Sequence, residues 1–358
     1  MRKLILPIFL ALSGSLYSQT DSKSSNLTFS GYLETYYGYD FANPDDHLRS
    51  AGVYSHNKHN EVNLNLGFVK AAYSSERLRG NLAVMAGTYA DANLASESPT
   101  LQNIFEANVG VKLSENKNLW IDAGIFASHI GFESAVGKDC WNLTRSILAD
   151  NSPYYESGVK VSYTSPSGKW FVSGLLLNGW QRIQRVEGNN TLAFGHQITF
   201  KPSAKVTLNS SSFVGSDSPD IDRKMRYFHN FYGQFQLTDK FGLIAGFDIG
   251  AQQTAKKSKT YHAWYSPVLI GKYVLSSKST LAARAEYYND EDQVIIATTS
   301  PNGFQTASYS VNYDYQITTN AVWRIEARGF SSKDRIYTYD DAPAPQNYLI
   351  TTALAFSF

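Results

Sequence analysis

The sequence predicts an all-β fold: a transmembrane, antiparallel, up-and-down β-barrel of about sixteen strands. Three observations carry this reading. Segments of alternating polar and apolar residues recur along the chain, and short and long connections take turns between them. The chain also stops on a large aromatic ring, Phe358, still in phase with the stripe before it. Most chains end in frayed, polar residues instead.

Composition sets the frame. The 358 residues suffice for two ordinary domains or one large barrel, and no Pro/Gly linker divides them. Lys and Arg number 32 against 31 Asp and Glu, which gives no basic footprint for nucleic acid. Tyr (24) and Phe (20) are abundant while charged residues make up 18%, as on half-buried pleated surfaces. Cys140 is the single cysteine, so the chain has no internal disulfide and no CxxC metal or redox motif.

In chain order, residues 1–18 read as a secretory signal. Arg2 and Lys3 form a basic start, Leu4 to Leu12 an apolar run, and small residues precede a cleavage point near Ser18. The run is shorter than the ~20 residues of a membrane helix. Removing it takes away two cations and no acids, so the formal charge goes from +1 to −1. No cysteine stands at the cleavage site, so no lipoprotein anchor is expected. Residues 19–26 form a short polar lead on the periplasmic side, and the barrel is expected over 27–358.

Period-2 alternation then runs through 27–39, 61–69, 105–113, 192–200, 241–250, 307–317 and 320–330, where helical spacing fits poorly. Short connections fall at 74–77, 114–118, 165–168, 201–205, 238–240, 276–279 and 318–319. Long ones fall near 41–58, 92–102, 132–152, 182–190, 217–224, 254–259, 292–303 and 333–346. Seven and eight make fifteen connections, hence sixteen strands of roughly 9–11 residues each. Short turns on one side and long loops on the other are the habit of an outer-membrane barrel, with the turns facing the periplasm.

The alternation also assigns faces. Tyr348, Ile350, Thr352, Leu354, Phe356 and Phe358 point one way, and Leu349, Thr351, Ala353, Ala355 and Ser357 the other. Trp323, Ile325 and Ala327 oppose Arg324, Glu326 and Arg328; Leu281, Ala283, Ala285 and Tyr287 oppose Arg284 and Glu286; Tyr309, Val311, Tyr313 and Tyr315 oppose Asn312 and Asp314. A one-residue slip of 320–330 puts three charges into hydrocarbon at roughly 2–4 kcal/mol each, so the register is well fixed. The polar faces carry both signs and many small residues, which suits a water-filled lumen. Pairing 27–39 with the last strand removes every open edge.

Two resemblances add to this. The terminal strand, with Phe356 and Phe358 at alternate positions, is similar to the signal that outer-membrane barrels show their assembly machinery. The segment 121–163 resembles the OmpL-like, or porin-2, β-barrel porins common in Bacteroidetes. The match lies in Gly131, Phe132 and Glu133, then Asn142, Thr144, Arg145 and Ser146, then Gly158 and Val159. The resemblance implies a diffusion pore and no catalysis. Counting strands, 132–152 joins the fifth to the sixth, the connection that narrows the lumen in sixteen-stranded general porins. By that analogy Glu133, Lys138, Asp139 and Arg145 are constriction candidates; the other reading leaves the loop on the outer rim.

Wall charges Lys112, Asp122, Asp248, Arg284, Glu286, Asp314, Arg324, Glu326 and Arg328 face the expected lumen. They either set the pore field or pair with one another to hold the wall, and the two are compatible. His56 and His59, after Asp45, Asp46 and His47, read as a solvated loop rather than a metal site, since no helix aligns them. No histidine begins a His-x-Ser triplet, which weighs against a barrel phospholipase, and the single Asp46–His47 couple is a weak sign of a barrel protease. Gly242, Gly246 and Gly250 relieve crowding on the inner wall. The basic tip at 255–259 reads as solvated, and Trp120, Trp170 and Trp323 read as interfacial girdle residues.

The expected function is passive diffusion of small hydrophilic solutes or ions across the outer membrane, without cofactor or metal. The alternatives are a plugged surface barrel whose long loops bind a partner, and a barrel hydrolase. Expected partners are outer-membrane lipid, lipopolysaccharide, the barrel-assembly machinery and the solutes. Homo-oligomerisation stays open, because nothing in the sequence marks a flat subunit interface.

Overall fold

The computed structural model describes residues 26–49, 52–339 and 342–358. The expected signal at 1–18 and residues 19–25 of the lead lie outside the described residues.

Sixteen strands close into an antiparallel barrel. They are β1 (Leu27–Asp40), β2 (Val62–Ser74), β3 (Leu78–Ala86), β4 (Ile104–Lys112), β5 (Asn118–Ala127), β6 (Tyr155–Thr164), β7 (Trp170–Leu177) and β8 (Ala193–Ser203). There follow β9 (Val206–Gly215), β10 (Arg226–Gln236), β11 (Phe241–Gln253), β12 (Tyr261–Val274), β13 (Ser279–Asp290), β14 (Phe304–Gln316) and β15 (Ala321–Ser332). The loop after β15 carries a small hairpin, β16 (Tyr337–Tyr339) with β17 (Ala342–Ala344), before β18 (Gln346–Ser357) completes the wall. Two short helices, α1 (Thr88–Asn93) and α2 (Ile147–Asp150), lie within long loops.

The seam pairs β1 with β18 from Tyr32–Ser357 to Asp40–Leu349. Gly31 and Phe358 then exchange backbone hydrogen bonds of 3.0 and 3.1 Å. No edge is left to pair with another chain, which is the condition for β-structure in a bilayer. The ring of Phe358 lies over Gly31, which has no Cβ to obstruct it. Leu33, Val69, Leu82, Val109, Val172, Ile198, Phe247, Leu269, Val311 and Leu354 project outward and are exposed, forming the belt that hydrocarbon covers. On β13, β14, β15 and β18 the outward and inward sets are those the alternation assigns.

Three features depart from the expectation. Wall height is uneven: β7 has 8 residues and β3 and β4 have 9, whereas β1 and β12 have 14. Trp120 is no girdle residue, because its strand parity places it with Asp122 on the inner face, where Arg79 stacks over its ring at 4.4 Å. The interior is also not wet throughout. Tyr32, Leu66 and Ile270 of the wall pack with Ala135, Leu148 and Tyr154 of the β5–β6 loop in one buried cluster.

Candidate functional site

The β5–β6 loop, residues 128–154, lies inside the barrel. Its hydrogen bonds run to the inner surface of the wall, to a backbone carbonyl on β9 and to inward side chains elsewhere. His129 Nε2 meets Ser212 O at 2.8 Å and the Gly131 amide meets Asn230 Oδ1 at 3.3 Å. Further on, the Leu143 amide donates to Asn312 Oδ1 (3.0 Å), that of Thr144 to Glu326 Oε2 (2.6 Å) and that of Ile147 to Glu286 Oε2 (2.6 Å). The Lys138 amide reaches Tyr32 OH on β1 at 3.3 Å. The loop thus meets the wall at β9 and β10, at β1 and at β13–β15. Irregular backbone at membrane depth needs such partners, and the polar inner faces supply them. Gly246 and Gly242 on β11 make room: a Cβ there would stand 2.6 Å from the Phe132 ring and 2.8 Å from that of Trp141.

Charge fixes the loop further. Arg284 on β13 pairs with Glu286 and Glu326, both at 3.1 Å, and donates to Thr144 O at 2.8 Å. Arg328 pairs with Glu286 at 2.7 Å and donates to Arg145 O at 2.9 Å. Arg324 pairs with Asp314 at 2.7 Å and donates to the carbonyls of Gly137 (2.6 Å) and Cys140 (2.9 Å). Arg145 donates to three carbonyls of its own loop, Ser134, Ala135 and Leu143, and so folds the loop on itself. Glu133 accepts from the Ser146 amide (3.0 Å) and hydroxyl; burial pushes its carboxyl up, against the pull of Arg284. Buried charges are tolerable only when paired and hydrogen-bonded, and loop carbonyls complete that requirement here.

Of the residues singled out from sequence, Glu133, Arg145, Arg284, Glu286, Arg324, Glu326 and Arg328 therefore sit together in one buried lattice. Asp314 stands at its edge, and Lys138 and Asp139 are exposed on the short-turn side. They border a cavity of about 530 Å³ with Lys272 and Lys278. Phe356 and Phe358 lie on the outer face, away from all of these.

A second inserted loop was not legible. In the β1–β2 connection, His56 Nε2 meets Glu34 Oε1 at 2.8 Å, and Glu34 also accepts from Asn65 (2.8 Å) and Tyr32 (2.6 Å). His56 and His59 are 0% and 1% exposed, which corrects the solvated reading. Burial holds the His56 imidazole below its usual range, even beside Glu34. Ser55 Oγ bonds Asp150 Oδ1 at 2.9 Å and joins this loop to the other. The available signal was Glu34 itself, a carboxylate on the inner face of an aromatic strand that needs a partner. Among the described residues, no three His, Cys, Asp or Glu side chains gather to hold a metal.

The wall from β2 to β6 is different. Lys70 pairs with Glu106 at 2.5 Å, and Arg79 donates to both oxygens of Asp122 at 2.6 and 2.5 Å. Lys160 lies 4.5 Å over the Phe126 ring, and Lys112 is half-buried. The cations here keep solvent access, Lys70 being 25% and Arg79 34% exposed, while Asp122 and Glu156 are buried. A cavity of about 190 Å³ separates the loop from this side, bordered by Met85, Phe105, Glu106, Phe132, Glu133 and Tyr154. Towards the long loops a cavity of about 330 Å³ is lined by Asp150, Trp180, Arg182, Asp217 and Arg226. Burial pushes the Asp217 carboxyl up, and Arg226 opposes it.

Comparison with known proteins accords with this geometry. The family model described as "Putative beta-barrel porin-2, OmpL-like" matches residues 26–358. Among curated proteins, none matches the chain in sequence. Among solved structures, OmpT of Vibrio cholerae superposes with a TM-score of 0.60 at 12% identity, over 95% of this chain and 100% of that one. An anion-selective porin from Comamonas acidovorans gives 0.61 at 7% identity, over 93% and 99%. The outer-membrane channel DcaP of Acinetobacter baumannii gives 0.59 at 12% identity, over 96% and 100%. At these identities the structures speak for the fold.

Proposed function

The chain belongs to the OmpL-like porin-2 family of β-barrel porins of the outer membrane, and from that premise we propose that its solutes pass between the β5–β6 loop and the β2–β6 wall. One observation carries this reading: the inner charges of β13–β15 are consumed by the loop, whereas Lys70 and Arg79 on β2–β6 keep access to water. On this wall Lys70, Arg79, Lys112 and Lys160 stand against Glu106, Asp122 and Glu156, an excess of one cation. A low-dielectric throat magnifies such an excess, so small anions are favoured. In this reading Glu133, Arg145 and the wall arginines shape the constriction by holding the loop, and Lys138, Asp139 and Asp314 meet the solute on the short-turn side. No catalytic step is assigned to any residue. Residues 1–18 serve export, 19–26 lead into the barrel, and Phe356 and Phe358 present the terminal strand to the assembly machinery.

A specific observation favours a second reading. Two loops fill much of the interior, as in a plugged barrel whose outer loops bind a partner. Planar-bilayer recording separates the two. Purified protein that opens stable ion steps, with a reversal potential displaced towards the anion in a salt gradient, supports the pore; a tight, silent barrel supports the plug.

A further inference from the structure

Beyond conduction, the long-loop mouth holds a guanidinium that the wall fixes in place and leaves open on one side. Arg226 begins β10 on its inner face, and its register partner on β11 is Gln252. Gln252 Oε1 accepts from Arg226 Nε at 3.0 Å and from Nη2 at 2.8 Å. The rings of Trp180 and Trp264 stand 5.1 and 5.8 Å from its Cζ. Gly250, the register partner of Trp264, leaves room for that ring, since a Cβ would fall upon it. A neutral amide and two aromatic rings thus set the plane of the cation without cancelling its charge. Its third nitrogen, Nη1, has no hydrogen bond among the described residues and lies 3.7 Å from Asp217 Oδ2.

A second guanidinium gives an independent observation on the same cavity of about 330 Å³. Arg182, from the β7–β8 connection, is half-buried on its rim and has neither hydrogen bond nor ion pair among the described residues. The carboxylates nearby are already engaged. Asp217 accepts the Trp180 amide at 2.9 Å on one oxygen and faces Arg226 with the other. Asp150 accepts from Ser55 Oγ and Tyr154 OH, both at 2.9 Å, and from the Tyr54 amide at 3.2 Å. Arg182 and Nη1 of Arg226 are therefore the charged donors left open here. Half-buried Val294 and Ile295 supply an apolar side.

We infer that this cavity is a recognition site for a small organic carboxylate, held between Arg182 and Arg226 with its apolar body against Val294 and Ile295. Guanidinium groups match carboxylate oxygens in geometry and charge, and one fixed in advance loses less freedom on binding. A few placed polar groups beside an apolar side are the usual make-up of a small-molecule site. The inference deepens the proposed pore by naming the class of solute gathered at its outer mouth. It rests on that reading for the solute's onward route, and on the cavity alone for binding.

The test is isothermal titration of the purified full chain in detergent with benzoate, and with benzamide as its uncharged counterpart. The expected result is saturable binding of benzoate, one per chain, and no binding of benzamide over the same concentrations. Arg182→Gln breaks no hydrogen bond or ion pair among the described residues, and is expected to weaken benzoate about tenfold. Arg226→Lys keeps the charge but cannot be held by Gln252 through two N–H groups, and is expected to weaken it several-fold. No binding of benzoate, equal binding of both compounds, or an affinity that either substitution leaves unchanged would overturn the inference. Benzoate bound by a barrel that stays silent in planar bilayers supports this site and contradicts the pore, so the two failures are told apart.

Discussion

Two arcs of the barrel are written in the same alternation and end differently. On β13–β15, Arg284, Glu286, Asp314, Arg324, Glu326 and Arg328 are drawn into a lattice with the backbone of the β5–β6 loop. On β2–β6, Lys70 pairs with Glu106 and Arg79 with the buried Asp122, no loop carbonyl joins these pairs among the described residues, and the two cations keep access to water. Strand period decides that a charge faces inward. Whether it meets solute is decided by where an irregular chain inside the barrel finds partners for its N–H and C=O groups.

The largest break in this comparison is expected from Glu326→Ala. It removes one of the carboxylate partners of the buried Arg284 and leaves the Thr144 amide without its acceptor. Breaking a buried pair costs about 3–5 kcal/mol, and here the loop's docking bears the loss while the barrel wall persists. Single-channel records should show larger, noisier openings, with the barrel still heat-modifiable on gels. Gly246→Leu comes next, because the added side chain drives into Phe132. Overpacking of about 1–3 kcal/mol should lift the loop and expose it to trypsin at Arg145, which is fully buried in the loop's docked form.

Acid should loosen the same loop at its root. Burial holds the His129 imidazole down to about 4, against an unfolded value of about 6.5. The unfolded or undocked state therefore takes up the proton first, so stabilisation is intact above pH ~6.5 and is lost as pH falls towards 4. Glu156 stands 3.7 Å from His129 and shares this site. Gating noise that rises over this window in wild type, and stays flat in His129→Gln, checks the assignment. The smallest effect on stability is expected on the open arc. Arg79→Ala removes the partly exposed partner of the buried Asp122 and should cost less than the loss of Glu326, whose partners are all buried. Its reversal potential should nonetheless move towards cations, which sharpens the contrast: structural charges on one wall, functional charges on the other.

Much of the fold was legible because a membrane barrel repeats one rule. Trp323 and Arg324, or Tyr309 and Ser310, differ by one residue and by an entire solvent, so the register could be read from polarity alone. Trp120 escaped the rule: nearness to a turn suggested a girdle, while parity with Asp122 puts it inside under Arg79. Arg145 was legible as a special loop residue, but its partners are carbonyls of Ser134, Ala135 and Leu143, which carry no sequence signature. The inserted β1–β2 loop was missed for a related reason. "DDH" and "HNKH" look like solvated polar runs until Glu34 is found on the facing wall.

The central claim is that the β5–β6 loop, folded on Arg145, sets the aperture between itself and the β2–β6 wall. Liposome swelling with sugars of rising size tests it most directly, comparing wild type with Arg145→Ala. The account predicts a sharp size limit for wild type and passage of larger sugars through the variant. An identical limit for both would contradict it.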